Sequence, residues 1–285
     1  MRLAFSKYHG LGNDFVIVEA QALGTAQAVR LCDRHLGIGA DGVLLLSGTT
    51  GRFRMQVINA DGSVPEMCGN GIRCLALHLA RTKRAPDGEF DVDTDSGVHT
   101  CRVLERGANG VIEVSMRAPS LLAKDVPLNG DAPMIDAVLT TGSRALRVTA
   151  VSMGNPHAVT FDPVGDDRYS LAPLVQNHPS FPHGANVGFA DLVGPQEIDL
   201  FVYERGAGWT EACGTGACAA AVAAVETNRA VRGRPIEVTL PGGSLTIIVG
   251  EPGERLKMTG PAVHVFDGTV EISGNSIRPS APAPV

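Results

Sequence analysis

The chain lacks the features that would place it in several common classes. Lys and Arg total 24 against 30 Asp and Glu, a net charge of −6. A nucleic-acid partner would call for a basic face, so none is expected. No apolar run approaches the ~18 residues of a membrane span, and no membrane partner is expected. The opening Met1-Arg-Leu-Ala-Phe-Ser-Lys-Tyr-His9 has neither the apolar core nor the cleavage site of a secretory leader, so the expected location is cytoplasmic. The six cysteines, Cys32, Cys68, Cys74, Cys101, Cys213 and Cys218, contain no C-x2-C pair. That argues against zinc, and a chain kept in the cytoplasm should hold its thiols reduced. The G-x-G pieces are too short and wrongly flanked for a dinucleotide fingerprint. No lysine stands beside a phosphate loop as a pyridoxal phosphate site would need. Neither metal nor cofactor is expected.

Glycine and proline are plentiful instead, 34 and 18 in 285 residues, which implies short elements joined by many turns. The length fits two domains on the usual prior of roughly 100–200 residues each. One stretch stands out, Met67-Cys68-Gly69-Asn70-Gly71-Ile72-Arg73-Cys74, and it returns as Ala212-Cys213-Gly214-Thr215-Gly216-Ala217-Cys218. In both, Cys-Gly-x-Gly opens an apolar run at helical spacing. Glycines let backbone amides approach a ligand, and a helix N-terminus attracts negative charge. A cysteine there is expected to have a lowered pKa and to be partly thiolate. Cys32, Cys74, Cys101 and Cys218 read as small buried hydrophobes.

The two halves repeat in order. Gly12-Asn13-Asp14 matches Gly154-Asn155-Pro156, Gly39-Ala40-Asp41 matches Gly184-Ala185-Asn186, and Ile58-Asn59 matches Tyr203-Glu204. Cys68 matches Cys213, Gly97 matches Gly242, and Met116-x-x-Pro119 matches Met258-x-x-Pro261, every offset being 142 or 145. This predicts an α/β (α+β) protein of two similar domains related by internal duplication. Each would have mostly antiparallel strands around one long central helix, with the active site in the cleft between them. The first helix is expected from Cys68 to about Arg81, and a shorter one from Thr25 to Leu36, capped by Thr25 and stopped by Gly37. The domains are expected at 1–117 with about 262–272, and at 118–261. The polar, proline-rich 273–285 reads as a disordered tail.

A thiolate and a thiol on opposite faces of one carbon could remove and return a proton. The outcome is inversion at an acidic C–H centre, with helix N-termini stabilising the charge that develops on a neighbouring carboxylate. The polar residues Asn13, Asn59, Asn155, His157, Asn186, Glu204 and Arg205 at loop positions suggest a highly polar ligand. Arg205 suits a carboxylate and Glu204 an ammonium. Any one Asn alone reads better as a turn residue, and a lone histidine as a structural one; His157 is singled out by its place in Gly154-Asn-Pro-His157, the mirror of Gly12-Asn-Asp14.

At these motifs the sequence resembles diaminopimelate epimerases, from Lys7 to about Gly268. The matching pieces include His9-Gly-Leu-Gly-Asn-Asp-Phe15, Asn59-Ala-Asp-Gly-Ser63, Ser152-Met-Gly-Asn-Pro-His157, Tyr203-Glu-Arg-Gly-Ala-Gly208 and both Cys motifs. The resemblance implies cofactor-independent interconversion of LL- and meso-diaminopimelate, in lysine and peptidoglycan precursor synthesis, with Cys68 and Cys213 as the acid/base pair. It implies that Gly69, Asn70, Gly214 and Thr215 hold the reacting carboxylate, and that Asn13, Asn59, Asn155, Asn186, Glu204 and Arg205 hold the other polar groups. His157 and Glu204 would tune the thiols. It also implies a homodimer, with Phe266 where some relatives carry a dimer-contact Tyr. Gly42 stands where some relatives have a substrate-contacting Gln, so that contact is not carried over. Three alternatives remain: a proline or hydroxyproline racemase, whose first motif reads Cys-Gly-His, a binding module that kept the cleft, and a thiol-redox protein.

Overall fold

The computed structural model describes residues 2–19, 23–49, 51–142, 144–273 and 276–279. The chain divides into two compact units, Met1–Val114 with Gly260–Val285, and Ser115–Thr259. In chain order the elements are β1 (Arg2–Gly10), β2 (Asn13–Glu19), α1 (Thr25–Cys32), β3 (Gly42–Thr49), β4 (Arg52–Asn59), α2 (Gly69–Arg81), β5 (Glu89–Thr94), β6 (Gly97–Glu105) and β7 (Asn109–Ser115). They continue with β8 (Ala137–Thr141), β9 (Arg144–Ser152), β10 (Pro156–Thr160), α3 (Arg168–Gln176), β11 (Asn186–Gly194), β12 (Glu197–Glu204), β13 (Gly208–Thr210) and α4 (Gly214–Glu226). The last are β14 (Pro235–Leu240), β15 (Gly243–Ile248), β16 (Lys257–Ser273) and β17 (Ser276–Pro279).

The repeat seen in the sequence is a repeat of strand pairing. In the first unit β1 runs antiparallel to β2, β2 parallel to β3, β3 antiparallel to β4, β4 parallel to β5 and β5 antiparallel to β6. In the second, β9, β10, β11, β12, β14 and β15 repeat the same five relations in the same order. Each parallel pair spans a helical crossover, as parallel neighbours require. The shorter helices α1 and α3 and the 13-residue helices α2 and α4 occupy matching places.

The long helices are enclosed by strands of their own unit. α2 packs on β1, β2, β3, β4 and β6, and α4 on β9, β10, β11, β12, β14 and β15. Every residue of α2 from Gly69 to Ala80 is buried, as is nearly all of α4. That explains the run Ala219-Ala-Ala-Val-Ala-Ala-Val225: a helix with no solvent face needs small side chains on all sides to let the strands close on it. A second layer of core lies under each short helix. Leu3, Val16, Val18, Leu31, Val43 and Ile58 gather beneath α1, and Leu146, Val148, Leu171, Val175, Val187 and Phe189 beneath α3.

β16 pairs with β15 through Lys257 to Thr259, then along β1 from Val263 to Glu271. The tail read as disordered instead forms a short strand at Ser276–Pro279 beside β16; the rest of that stretch beyond Ser273 lies outside the described residues. α1 stops four residues before the Leu36 expected for it. The Asp33 carboxylate accepts the amides of His35 and Leu36 at 2.8 Å each, a local turn that competes with helix. Its N-cap is Gly24 rather than Thr25, the amide bonded to Gln27 Oε1 at 3.1 Å. Gly37 still has a role, since a Cβ there would collide with the carbonyl of Arg30. Among the described residues no helix is long and apolar enough to cross a membrane.

Candidate active site

The two Cys motifs are built alike. Cys68 is the N-cap of α2, with extended backbone (φ −136°, ψ 114°), and Cys213 is the N-cap of α4 (φ −120°, ψ 104°). The amide of Gly71 donates to Cys68 Sγ at 3.4 Å, so the sulfur stands where a Ser or Asp oxygen usually caps a helix. The second glycine of each motif is closely packed. A Cβ on Gly71 would lie 3.0 Å from Leu44 and 3.5 Å from Cys68 Sγ; on Gly216, 3.0 Å from Val202 and 3.2 Å from Cys213 Sγ.

A backbone clamp also recurs. In the first unit the tip of the β5–β6 hairpin donates the amide of Ser96 to the carbonyl of Glu66 at 3.0 Å. In the second, the tip of β14–β15 donates the amide of Gly242 to the carbonyl of Glu211 at 2.8 Å. Glu66 and Glu211 each stand two residues before the cysteine. Each thiol is therefore fixed on one side by its helix and on the other by the hairpin that follows it.

Around Cys68, Asn13 Oδ1 faces the sulfur at 3.9 Å and accepts from Asn70 Nδ2 at 3.2 Å. The Asn13 amide nitrogen turns the other way, to Asp41 Oδ2 at 2.8 Å. A carboxylate can only accept, so Asp41 decides which end of the amide meets the thiol. Asp41 is in turn held by Arg34 at 2.7 Å, and Arg34 and Lys7 both grip Asp14. Asn70 is fixed by Arg73, a fully buried arginine that donates to Asn70 Oδ1 at 2.8 Å, the Gly69 carbonyl at 3.1 Å and the Pro261 carbonyl at 3.2 Å. Asn59, at the end of β4, bonds Ser63 Oγ at 2.9 Å.

Around Cys213, Thr215 Oγ1 lies 3.6 Å from the sulfur and accepts from Asn155 Nδ2 at 3.3 Å, while Asn155 Oδ1 meets His157 Nε2 at 3.0 Å. Asn186 is buried and spent on the fold, its oxygen on the Arg205 amide at 2.8 Å and its nitrogen on the Pro156 carbonyl at 3.2 Å. Arg205 reaches the His183 carbonyl at 2.8 Å and is exposed. Glu204 accepts from Thr210 Oγ1 at 2.7 Å.

The electrostatics correct one expectation. Cys213 is not a lowered-pKa thiol: burial pushes it well above the usual thiol range, and the Glu204 carboxylate raises it further, outweighing the Thr215 hydroxyl and the Gly216 amide. Desolvation of a buried sulfur outweighs the helix N-terminus. His157 is fully enclosed, and burial, assisted by the charge of Arg205, lowers its pKa to about 3, so its ring is neutral. Cys32 and Cys74 are buried and pushed to about 12 by that burial, as inert structural thiols should be.

The candidates therefore assemble within each unit: Asn13, Gly69 and Asn70 at Cys68, and Asn155, His157, Glu204, Gly214 and Thr215 at Cys213. Phe266 is exposed on β16 with its ring edge-on to Phe5 at 5.8 Å. Gly42 is buried between Phe15 and Asn59 in the strand register, with room for a Cβ only 3.1 Å from the Ile58 carbonyl. Sequence reasoning passed over Arg73, Asp41, Thr210 and the two clamps. Only the clamps left a signal, the paired Glu66 and Glu211 at the repeat offset of 145. Among the described residues no three His, Cys, Asp or Glu side chains are grouped to hold a metal ion.

Comparison with known proteins bears on this arrangement. The profile of the family described as diaminopimelate epimerase matches residues 5–122 and 149–265. The chain is 46% identical to a diaminopimelate epimerase of Desulforudis audaxviator over 93% of its own length and 98% of that protein's. It is 45% identical to one from Synechocystis over 95% and 100%. Among solved structures, a Bacillus anthracis phenazine biosynthesis protein of the PhzF family has a TM-score of 0.70 at 14% identity, covering 95% of this chain and all of that one. A hydroxyproline epimerase from Agrobacterium vitis, with trans-4-hydroxy-L-proline bound, has a TM-score of 0.68 at 14% identity over 94% and 92%. These structures share its fold.

Proposed function

The chain belongs to the diaminopimelate epimerase family, and on that premise we propose that it interconverts LL- and meso-diaminopimelate with Cys68 and Cys213 as its two acid–base groups. One thiolate takes the α-proton from one face of the carbon, and the other residue's thiol gives its proton to the opposite face. The C–H electron pair is held meanwhile as an enediolate on the α-carboxylate. The bond lost at one face is remade at the other, and each turnover leaves the protonation of the two sulfurs exchanged. The next substrate of opposite configuration restores it.

The observation that carries this reading is the duplicated thiol at a helix N-terminus. Gly69 and Asn70 at one, and Gly214 and Thr215 at the other, are the amides we assign to the reacting carboxylate, where the helix dipole favours developing negative charge. Cys213, buried beside Glu204, is disposed to start a cycle protonated. Glu204 and Arg205 suit an ammonium and a carboxylate of the substrate, with Asn13, Asn59, Asn155 and Asn186 fixing its remaining groups or the loops that do so. No cofactor enters the scheme. The need for two free thiols fits a reducing cytoplasm, and exposed Phe266 with neighbouring Val265 is our candidate for the homodimer contact.

Purified protein given LL-diaminopimelate, L-proline and trans-4-hydroxy-L-proline in parallel tests the assignment. Inversion of diaminopimelate, with the prolines turned over at least ~100-fold more slowly, is expected. Preference for either proline would replace the reading with that of a proline-type racemase.

A further inference from the structure

Thr210 has no part in the chemistry above. It closes β13 opposite Val202 of β12, three residues before Cys213. Alternation along the strand sends its side chain to the opposite face from Trp209. On that other face Trp209 is wedged among rings, 5.3 Å from Tyr203, 5.1 Å from Tyr169 and 6.0 Å from Phe189. The hairpin is thus anchored by aromatic packing, and the Thr210 hydroxyl is presented from a fixed platform. It donates to one oxygen of Glu204 at 2.7 Å, a charge-assisted bond that a flexible glutamate would otherwise lack.

We propose that Thr210 is a positioning residue, whose hydroxyl holds the Glu204 carboxylate in the orientation that serves the Cys213 thiol. The proposal rests on the assignment of Cys213 as an acid–base thiol. The titratable and charged neighbours in this group are Cys213, which Glu204 raises by charge and hydrogen bond, Arg205, bonded to the His183 carbonyl, and His157, which feels Arg205. Loosening Glu204 is therefore expected to act on Cys213.

The test labels the whole folded protein with iodoacetamide at pH 8 and follows Cys213 and Cys68 separately by peptide mass spectrometry. Thr210→Val removes the hydroxyl and keeps the shape. It is expected to speed Cys213 labelling about tenfold, in the direction of a larger thiolate fraction, with Cys68 unchanged within twofold and kcat down about tenfold. Thr210→Ser should label like the wild type. Thr210→Ala and Thr210→Ser share the loss of the methyl, so that pair gives the same comparison if the valine variant folds poorly. In a Glu204→Gln background Thr210→Val should add nothing. Labelling equal to wild type, equal acceleration at both cysteines, or an added effect without Glu204 would overturn the proposal. Labelling needs no turnover, so a wild type unable to epimerise diaminopimelate would defeat the functional reading while the labelling still decides the role of Thr210.

Discussion

His157 offers a quantitative check on the electrostatics of the second unit. Its imidazole is 1% exposed, and burial, with Arg205 in support, depresses its pKa from 6.5 to about 3. In the unfolded chain it should titrate near ~6.5. Below that pH the unfolded chain takes a proton that the folded chain refuses until about pH 3. The contribution to stability is therefore complete above pH ~6.5 and declines as pH falls through that window. At ~1.36 kcal/mol per pH unit, going from pH 7.5 to 5.0 should cost about 2 kcal/mol through this one group. His157→Gln removes the titration and keeps an N–H for Asn155. Carboxylates such as Asp14, held low by the hydrogen bonds of Arg34 and Lys7 against the opposing effect of burial, titrate in both proteins and cancel. Urea unfolding followed by Trp209, the single tryptophan of the chain, reads the unit that contains His157. The wild type should lose about 2 kcal/mol more than His157→Gln between the two pH values. A wild-type-minus-variant difference that does not change with pH would refute the assignment of a buried, neutral imidazole.

Other consequences follow from packing. Gly71→Ala and Gly216→Ala each gain up to ~1 kcal/mol of helix propensity, yet press a methyl toward the sulfur and a neighbouring Leu44 or Val202. Both should therefore lower kcat more than tenfold while changing unfolding free energy by less than ~2 kcal/mol, a split that steady-state kinetics and denaturant titration together will show. Arg73→Met strips at least three hydrogen bonds from buried and half-buried acceptors. At ~1–3 kcal/mol for each group left unsatisfied, it should cost at least ~3 kcal/mol in urea unfolding.

The duplication was legible in the sequence because its anchors are backbone necessities. Gly71 and Gly216 each stand where a Cβ would crowd a neighbouring side chain at 3.0 Å, Leu44 or Val202, and the Cys-headed apolar runs have helical spacing. Details that depend on side-chain competition were not legible. Asp33 ended α1 early by taking two amides for itself, and α3 holds Pro173 inside it, a residue that argues against a helix when met in sequence. At the site the residue types were readable and their electrostatics were not. A helix N-terminus suggests an acidic thiol, but the burial of Cys213 and the approach of Glu204 are tertiary facts that reverse the sign. Arg73 reads as an ordinary helix cation until the fold encloses it. Asp41 reads as a turn residue until it is seen to fix which end of the Asn13 amide meets Cys68.

The two-base exchange at Cys68 and Cys213 is most directly tested by following LL-diaminopimelate through its first turnovers in deuterated water, with Cys213→Ala as control. One solvent deuterium should appear at the inverted α-carbon of the meso product while the unreacted LL pool stays protiated, and the control should form no product. Meso product that retains the substrate's own hydrogen, or undiminished turnover by Cys213→Ala, would contradict the mechanism.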